Sequence, residues 1–296
     1  MVQNGYKKSK RILKRFISEI KYGYGLQNGN LVTTFWFDKV VNFGDLLTPA
    51  LLRNYRLLPL HSDQNNADIV SIGSLLEIIP EDFPGFIVGT GLIRDNIRNF
   101  PRAKILAVRG ERTRDNIGAP ASTILGDPGL LADRLLKNKQ KKQYTIGILP
   151  HYVDKADAKI QKIYAKYPNE VVIIDVQASP LKVLTEIDQC RFILSSSLHG
   201  LVAADSLGIP NAWIKLSEKI FGNGFKFYDY ESAFGEKYDP SYLTGAENMA
   251  DLQNITHAVP DCVPEVKRNL DTVFIQLRKE MLGINQTRSV KPKFNY

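Results

Sequence analysis

The feature that most narrows the fold is a phrase repeated along the chain: a short apolar run, then small or polar residues, then a segment with helical spacing. LVTTFWF leads into Asn42, Phe43, Gly44 and Asp45, with an apolar helical stretch from Leu46. DIVSIGSLL sets Gly73 and Ser74 after its run, and FIVGTGLI sets Gly89, Thr90 and Gly91. AKILAVRGERTRDNI follows with Arg109, Gly110, Thr113 and Arg114, and STILGDPGLL with Gly126, Asp127 and Pro128. Parallel strands need crossover connections, which helices supply, so this repetition predicts a parallel α/β sheet. Ligands on such sheets bind beyond the strand carboxyl ends, where the small and polar residues collect.

Residues 137 to 143, KNKQKKQ, are polar, charged and free of apolar periodicity, and mark a domain boundary. Beyond them the alternation resumes. YTIGILPHYVD is a strand ending in Pro150, His151 and Asp154, EVVIIDV is a buried strand, and SPLKVLTEIDQC is a helix that Ser179 can cap. The sharpest junction is Arg191 to Pro210, RFILSSSLHGLVAADSLGIP. A buried strand runs straight into a helix through Ser195, Ser196, Ser197 and His199, and Gly208 with Pro210 supplies the stop. Unpaired helix N–H groups, serine hydroxyls and an imidazole at one corner suit a phosphate or carboxylate that is to receive or lose a proton; equally, the serines could cap the helix and His199 could be packed. AWIKL is a further strand. In GNGFKFYDYESAFG, Lys226 and Asp229 stand between aromatics that suit a sugar face or a core. A long helical pattern follows from Val263.

The expected organisation is a basic N-terminal segment and linker over 1–30, α/β domains over 31–140 and 141–262, and a C-terminal helix and tail over 263–296. A chain of 296 residues is long enough for two domains with separate cores, and 44% hydrophobic with 24% charged residues is ordinary for a globular protein. No apolar run approaches the roughly 18 residues that cross a bilayer, and the N-terminus lacks the apolar block of a secretion signal, so a cytoplasmic location is expected. Cys190 and Cys262 are far apart and read as buried thiols in a reducing compartment. His61, His151, His199 and His257 show no paired ligand spacing, which argues against zinc.

The net charge of +8 favours anionic partners and is concentrated at the ends. Lys7, Lys8, Lys10, Arg11, Lys14, Arg15 and Lys21 are interleaved with Ile12, Leu13, Phe16, Ile17 and Ile20. That pattern suits a helix lying on an anionic membrane surface, at the inner face of the cytoplasmic membrane, and equally one packed on the protein with its basic face solvated. Nucleic acid is not expected, because no RNA or DNA module follows.

Taken in order, the motifs resemble the polysaccharide pyruvyltransferase family, in particular its short bacterial members that decorate exopolysaccharide or capsule repeat units. The resemblance rests on NFGDLLTP (Asn42 to Pro49), SIGS (Ser71 to Ser74), GTG (Gly89 to Gly91) and VRGERTR (Val108 to Arg114). LGDPGLL (Leu125 to Leu131), GILPHYVD (Gly147 to Asp154), SSSLHGLVAADSLGIP (Ser195 to Pro210) and FKFYDY (Phe225 to Tyr230) continue it. It implies two Rossmann-like domains facing across a cleft, similar to B-type glycosyltransferases. It also implies transfer of pyruvate from phosphoenolpyruvate to two hydroxyls of one sugar, giving a cyclic ketal and free phosphate.

Carried over residue by residue, Arg109 matches the family arginine that holds phosphoenolpyruvate, His199 the active-site histidine, and Asp45 the aspartate of the N-x-G-D turn. Where characterised relatives read Arg-x-His, this chain has Ser197, Leu198 and His199, so an anion-binding arginine is missing. Ser195, Ser196, Ser197, the helix N-terminus, Lys226 and Arg114 are the candidates to replace it. His199 is expected as acid and Asp45 as base or sugar-hydroxyl ligand, with Arg109 and the serine turn as the anion clamp. His151, Asn42 and Asp229 are assigned to the acceptor side. The acceptor is a sugar, including a lipid-linked oligosaccharide if the basic N-terminus meets membrane. No cofactor or metal is needed for such a ketal transfer, in which phosphoenolpyruvate is the donor substrate. The rival expectations are a B-type glycosyltransferase using a nucleotide sugar and a non-catalytic glycan-binding scaffold.

Overall fold

The computed structural model describes residues 30–289. The basic segment and linker expected over 1–30, and the end of the tail, lie outside the described residues, apart from Asn30 at the start of the first strand. Two parallel sheets organise the rest. The first has six strands in the order β2-β1-β3-β4-β5-β6: β1 (Asn30–Phe35), β2 (Leu57–His61), β3 (Ile69–Val70), β4 (Phe86–Val88), β5 (Lys104–Val108) and β6 (Ile124–Leu125). The second has four in the order β10-β9-β7-β8: β7 (Tyr144–Leu149), β8 (Val171–Ile173), β9 (Cys190–Ser195) and β10 (Asn211–Trp213). Every pairing between these strands is parallel.

In each sheet the chain leaves its first strand to one side and returns on the other, around β1 in the first and β7 in the second. Such a reversal opens a crevice at the strand carboxyl ends. The fold is thus two doubly wound α/β halves, as the sequence predicts, with departures in detail. The LLPLH strand β2 is an addition. It pairs only with β1 at the sheet edge, where Pro59 is tolerated because its missing N–H costs no ladder bond.

The helices of the first half are also fewer than the repeated phrase suggests. α1 (Phe43–Asn54) and α2 (Glu111–Asn116) form, but only 3-10 turns follow β3 (Leu75–Glu77) and β6 (Pro128–Leu135), and no helix follows β4. In the second half come α3 (Ala158–Lys166), α4 (Pro180–Asp188), α5 (Leu198–Leu207), α6 (Phe225–Ser232), α7 (Met249–Asn254) and α8 (Val263–Ser289).

The cores are not fully separate. Each half has its own apolar cluster, one around Val70, Phe83 and Val108 and one around Ile148, Ile160 and Ile214. A third and larger cluster runs through both halves, joining Val32, Leu47 and Leu130 to Leu149, Val183, Val202 and Phe274. α8 closes it by returning to β1, β5, β6 and the 3-10 turn after β6. Polar seams reinforce the contact: Phe43 N donates to the Val176 carbonyl at 2.8 Å, and Lys267 meets Asp133 at 2.8 Å. Cys190 is buried and its thiol is pushed up to about 12 by burial, whereas Cys262 is only partly covered; neither forms a disulfide.

Candidate active site

Both crevices deliver residues to one place. From the first, Asn42 caps α1 by accepting from Gly44 N at 3.2 Å, which starts the helix early enough to set Asp45 in its first turn. From the second, β9 ends at Ser195 and α5 begins at Leu198, presenting His199. The His199 ring lies against the α1 backbone so closely that a Cβ on Gly44 would sit 1.9 Å from Nδ1; only glycine leaves room for it. Asp45 is 8% exposed, and burial raises its carboxyl to about 6 against the opposing pull of His199 and Lys226.

Lys226, half-buried on the first turn of α6, faces the same cluster. Burial first, and then Arg109, lowers its ammonium to about 8, while Asp45 works the other way. His151, after β7, is pushed down to about 4 by burial, with Lys226 and His199 adding to the effect. It is therefore neutral near pH 7. The cluster thus holds a carboxyl poised near neutrality, a cation and two imidazoles.

On its other side His199 meets Asp127. Nε2 and the Asp127 Oδ2 atom are 3.7 Å apart, and each is buried with no hydrogen-bond partner. Asp127 is fully buried; its other oxygen accepts from Gly129 N at 2.8 Å and caps the 3-10 turn after β6.

Arg109 directly follows β5 and is fully buried. Its Nε donates to Asp229 Oδ2 at 2.8 Å, Nη1 to Ser74 Oγ at 2.9 Å, and Nη2 to the Leu92 carbonyl. Gly91 packs on the guanidinium so tightly that a Cβ there would lie 2.5 Å from Cζ. Arg109 lies close enough to Lys226 to depress it, so it contributes positive field to the cluster from beneath.

A family model for polysaccharide pyruvyl transferase matches residues 6–218. The chain belongs to the polysaccharide pyruvyl transferase family. Among curated proteins it is similar to the uncharacterized protein L143 of Acanthamoeba polyphaga mimivirus, 34% identical over 71% of this chain and 74% of that one. It is also similar to the succinoglycan biosynthesis protein ExoV of Rhizobium meliloti (strain 1021), 25% identical over 73% of this chain and 69% of that one. Among solved structures it is similar to the glycosyltransferase AviGT4 of avilamycin A biosynthesis, with a TM-score of 0.38 and 12% identity over 86% of this chain and 96% of that one. The wall teichoic acid polymerase TagF gives 0.39 and 10% over 97% of each chain. The fold assignment rests on the two parallel sheets themselves. The chain is accordingly an enzyme of pyruvyl transfer in polysaccharide biosynthesis.

The pyruvyltransferase departs from several residue assignments made from its sequence. Asp229, expected at the acceptor, is fully buried and holds three donors: Arg109 Nε, Thr113 N at 2.7 Å and Thr113 Oγ1 at 2.7 Å. No face of it turns to a ligand; it locks α6 to the end of β5. Arg114, expected at the donor, lies on α2 and pairs with Asp115 at 2.9 Å and Glu111 at 3.5 Å. Ser195 donates to the Leu149 carbonyl and accepts from Ser197 N, and Ser196 donates to Asp154 and accepts from His151 N. Both hydroxyls are spent on bonds that build the corner. Ser197, buried at the start of α5, makes no capping bond to its own helix.

Phe225, Phe227 and Tyr230 are core residues, with Phe227 stacked on Trp213 at 4.2 Å between ring centres. Asp127 is the group whose part the sequence did not disclose: its cap on the 3-10 turn appears in the structure, and its second oxygen has no sequence signal. Among the described residues no helix is long and apolar enough to cross a membrane, and no cluster of three or more metal-ligating side chains forms.

Proposed function

We propose that this pyruvyltransferase takes phosphoenolpyruvate as donor and forms a cyclic pyruvate ketal on two hydroxyls of one sugar, releasing phosphate. The observation that carries the reading is the meeting of Asp45, His199 and Lys226 where both strand-end crevices converge, in a chain of this family. Lys226, the Ser197 hydroxyl and the first N–H groups of α5 bind the donor's anionic groups, and Arg109 supports them from beneath. His199 gives a proton to the methylene carbon while a sugar hydroxyl bonds to the adjacent carbon and Asp45 takes that hydroxyl's proton. The carbon–oxygen bond to phosphate then breaks, and the second hydroxyl closes the ring. Of the two hydroxyl protons, one is balanced by the new methyl hydrogen and the other leaves on phosphate. His151, neutral near pH 7, and Asn42 face the acceptor.

The acceptor class we assign is a bacterial surface-polysaccharide repeat unit carried on lipid at the inner membrane face. The alternation of lysine and arginine with apolar residues over positions 7–21 supports that reading. The test is incubation with phosphoenolpyruvate and a panel of free and lipid-linked glycans. The expected result is a pyruvyl mass gain on the glycan matched by one phosphate released. Mass gain from a nucleotide sugar instead, or glycan binding with no turnover, refutes the reading. Loss of sedimentation with anionic vesicles on deleting residues 1–21 is expected, and unchanged sedimentation refutes the membrane part.

A further inference from the structure

We propose that Asp127 is the positioning residue for His199: its carboxylate holds the ring's Nε2–H, so that Nδ1 is the nitrogen that carries and delivers the reactive proton. Two unpaired atoms facing each other carry the inference. Asp127 Oδ2 and His199 Nε2 are both buried, both without a hydrogen-bond partner, and 3.7 Å apart. Buried polar atoms are costly when unpaired, so two that face one another are explained most economically by a bond made at another stage of the cycle. Catalytic hydrogen bonds are often long in the unliganded enzyme and tighten when substrate closes the site.

The surroundings decide which nitrogen does what. Nε2 is shut away from solvent, so it cannot deliver a proton to a substrate in this geometry. Nδ1 lies over Gly44, beside Asp45. A negatively charged Asp127 stabilises N–H at Nε2 in the neutral ring, and stabilises the imidazolium that also carries N–H at Nδ1. The charged and titratable groups facing this ring are Asp127 from the turn after β6, Asp45 from α1 and His151 from the loop after β7, with Lys226 of α6 beyond Asp45. The assignment rests on the reading of His199 as the acid; the location of its proton is measurable without any turnover.

Asp127→Asn is the discriminating substitution. The amide oxygen keeps the cap on Gly129 N, so the amide NH2 is turned to Nε2 and the ring is driven to carry its proton at Nδ1 in the neutral form. Nitrogen NMR of histidine-labelled protein, with His199→Gln to assign the signal among the four histidines, reads the tautomer directly. The expected result is Nε2–H in the native protein and a switch to Nδ1–H in Asp127→Asn. kcat should fall about 10²–10⁴-fold with donor KM little changed. A native neutral ring protonated at Nδ1 overturns the proposal, and that spectrum decides the matter even if the variant fails to fold. A tautomer that matches in a protein that transfers no pyruvate sinks the functional reading and leaves this one standing; transfer with an unchanged tautomer does the reverse.

Discussion

Replacing Asp45 by asparagine should make the protein more stable and nearly inactive. Burial lifts this carboxyl from 3.8 to about 6, so the folded protein holds a proton over that interval that the unfolded chain has already released. Where the folded state binds more protons, stability falls as pH rises. The native protein therefore loses stability between about pH 4 and pH 6 on account of this one group, and the deficit persists above it. At about 1.4 kcal/mol per pKa unit, the loss is about 3 kcal/mol. Asparagine has the same shape and no charge to desolvate. Urea unfolding of the two proteins should give similar stabilities at pH 4 and a variant more stable by about 3 kcal/mol at pH 7.5. Turnover should fall about 10²–10⁴-fold if Asp45 takes the hydroxyl proton. A difference in stability that does not change with pH, or a variant destabilised at pH 7.5, refutes the account of Asp45 as a carboxyl held in the site against its own solvation.

Three further outcomes are expected. Because burial and Arg109 lower Lys226 to about 8, KM for an anionic donor should climb as pH passes that value and the ammonium is lost; Lys226→Arg should flatten the climb, since guanidinium stays charged. Gly44→Ala puts a methyl 1.9 Å from His199 Nδ1, so the ring must move, and kcat should fall about 10²-fold or more while circular dichroism stays native. Asp229→Ala leaves Arg109 buried without its counter-charge and should cost about 3–5 kcal/mol in urea unfolding.

The architecture was legible because a short apolar run closed by small or polar residues recurs along the chain, and the Arg191 to Pro210 phrase pointed to β9 running straight into α5. What escaped depended on partners distant in sequence. LLPLH follows a helical pattern and contains a proline, and only its place beside β1 at the sheet edge makes it a strand. FIVGTGLI does not lead into a helix, because Gly91 and Leu92 are spent enclosing the Arg109 guanidinium. The sequence showed an arginine at a strand end and an aspartate among aromatics; nothing in their separation told that they neutralise each other, which moves Arg109 beneath the site and removes Asp229 from it. Asp127 was visible as part of LGDPGLL, and its cap on the 3-10 turn appears only in the structure. The second oxygen acquires its role from His199, 72 residues away by numbering.

The central claim is that an imidazole from one half and a carboxylate from the other process a three-carbon enol phosphate within a single site. The most direct measurement is the reaction run in deuterium oxide with phosphoenolpyruvate and a glycan acceptor, reading the product methyl group by NMR. The account predicts one deuterium in the methyl of each ketal and its loss, together with phosphate release, in His199→Gln. A glycan product whose methyl forms without solvent hydrogen, or full activity in His199→Gln, contradicts it.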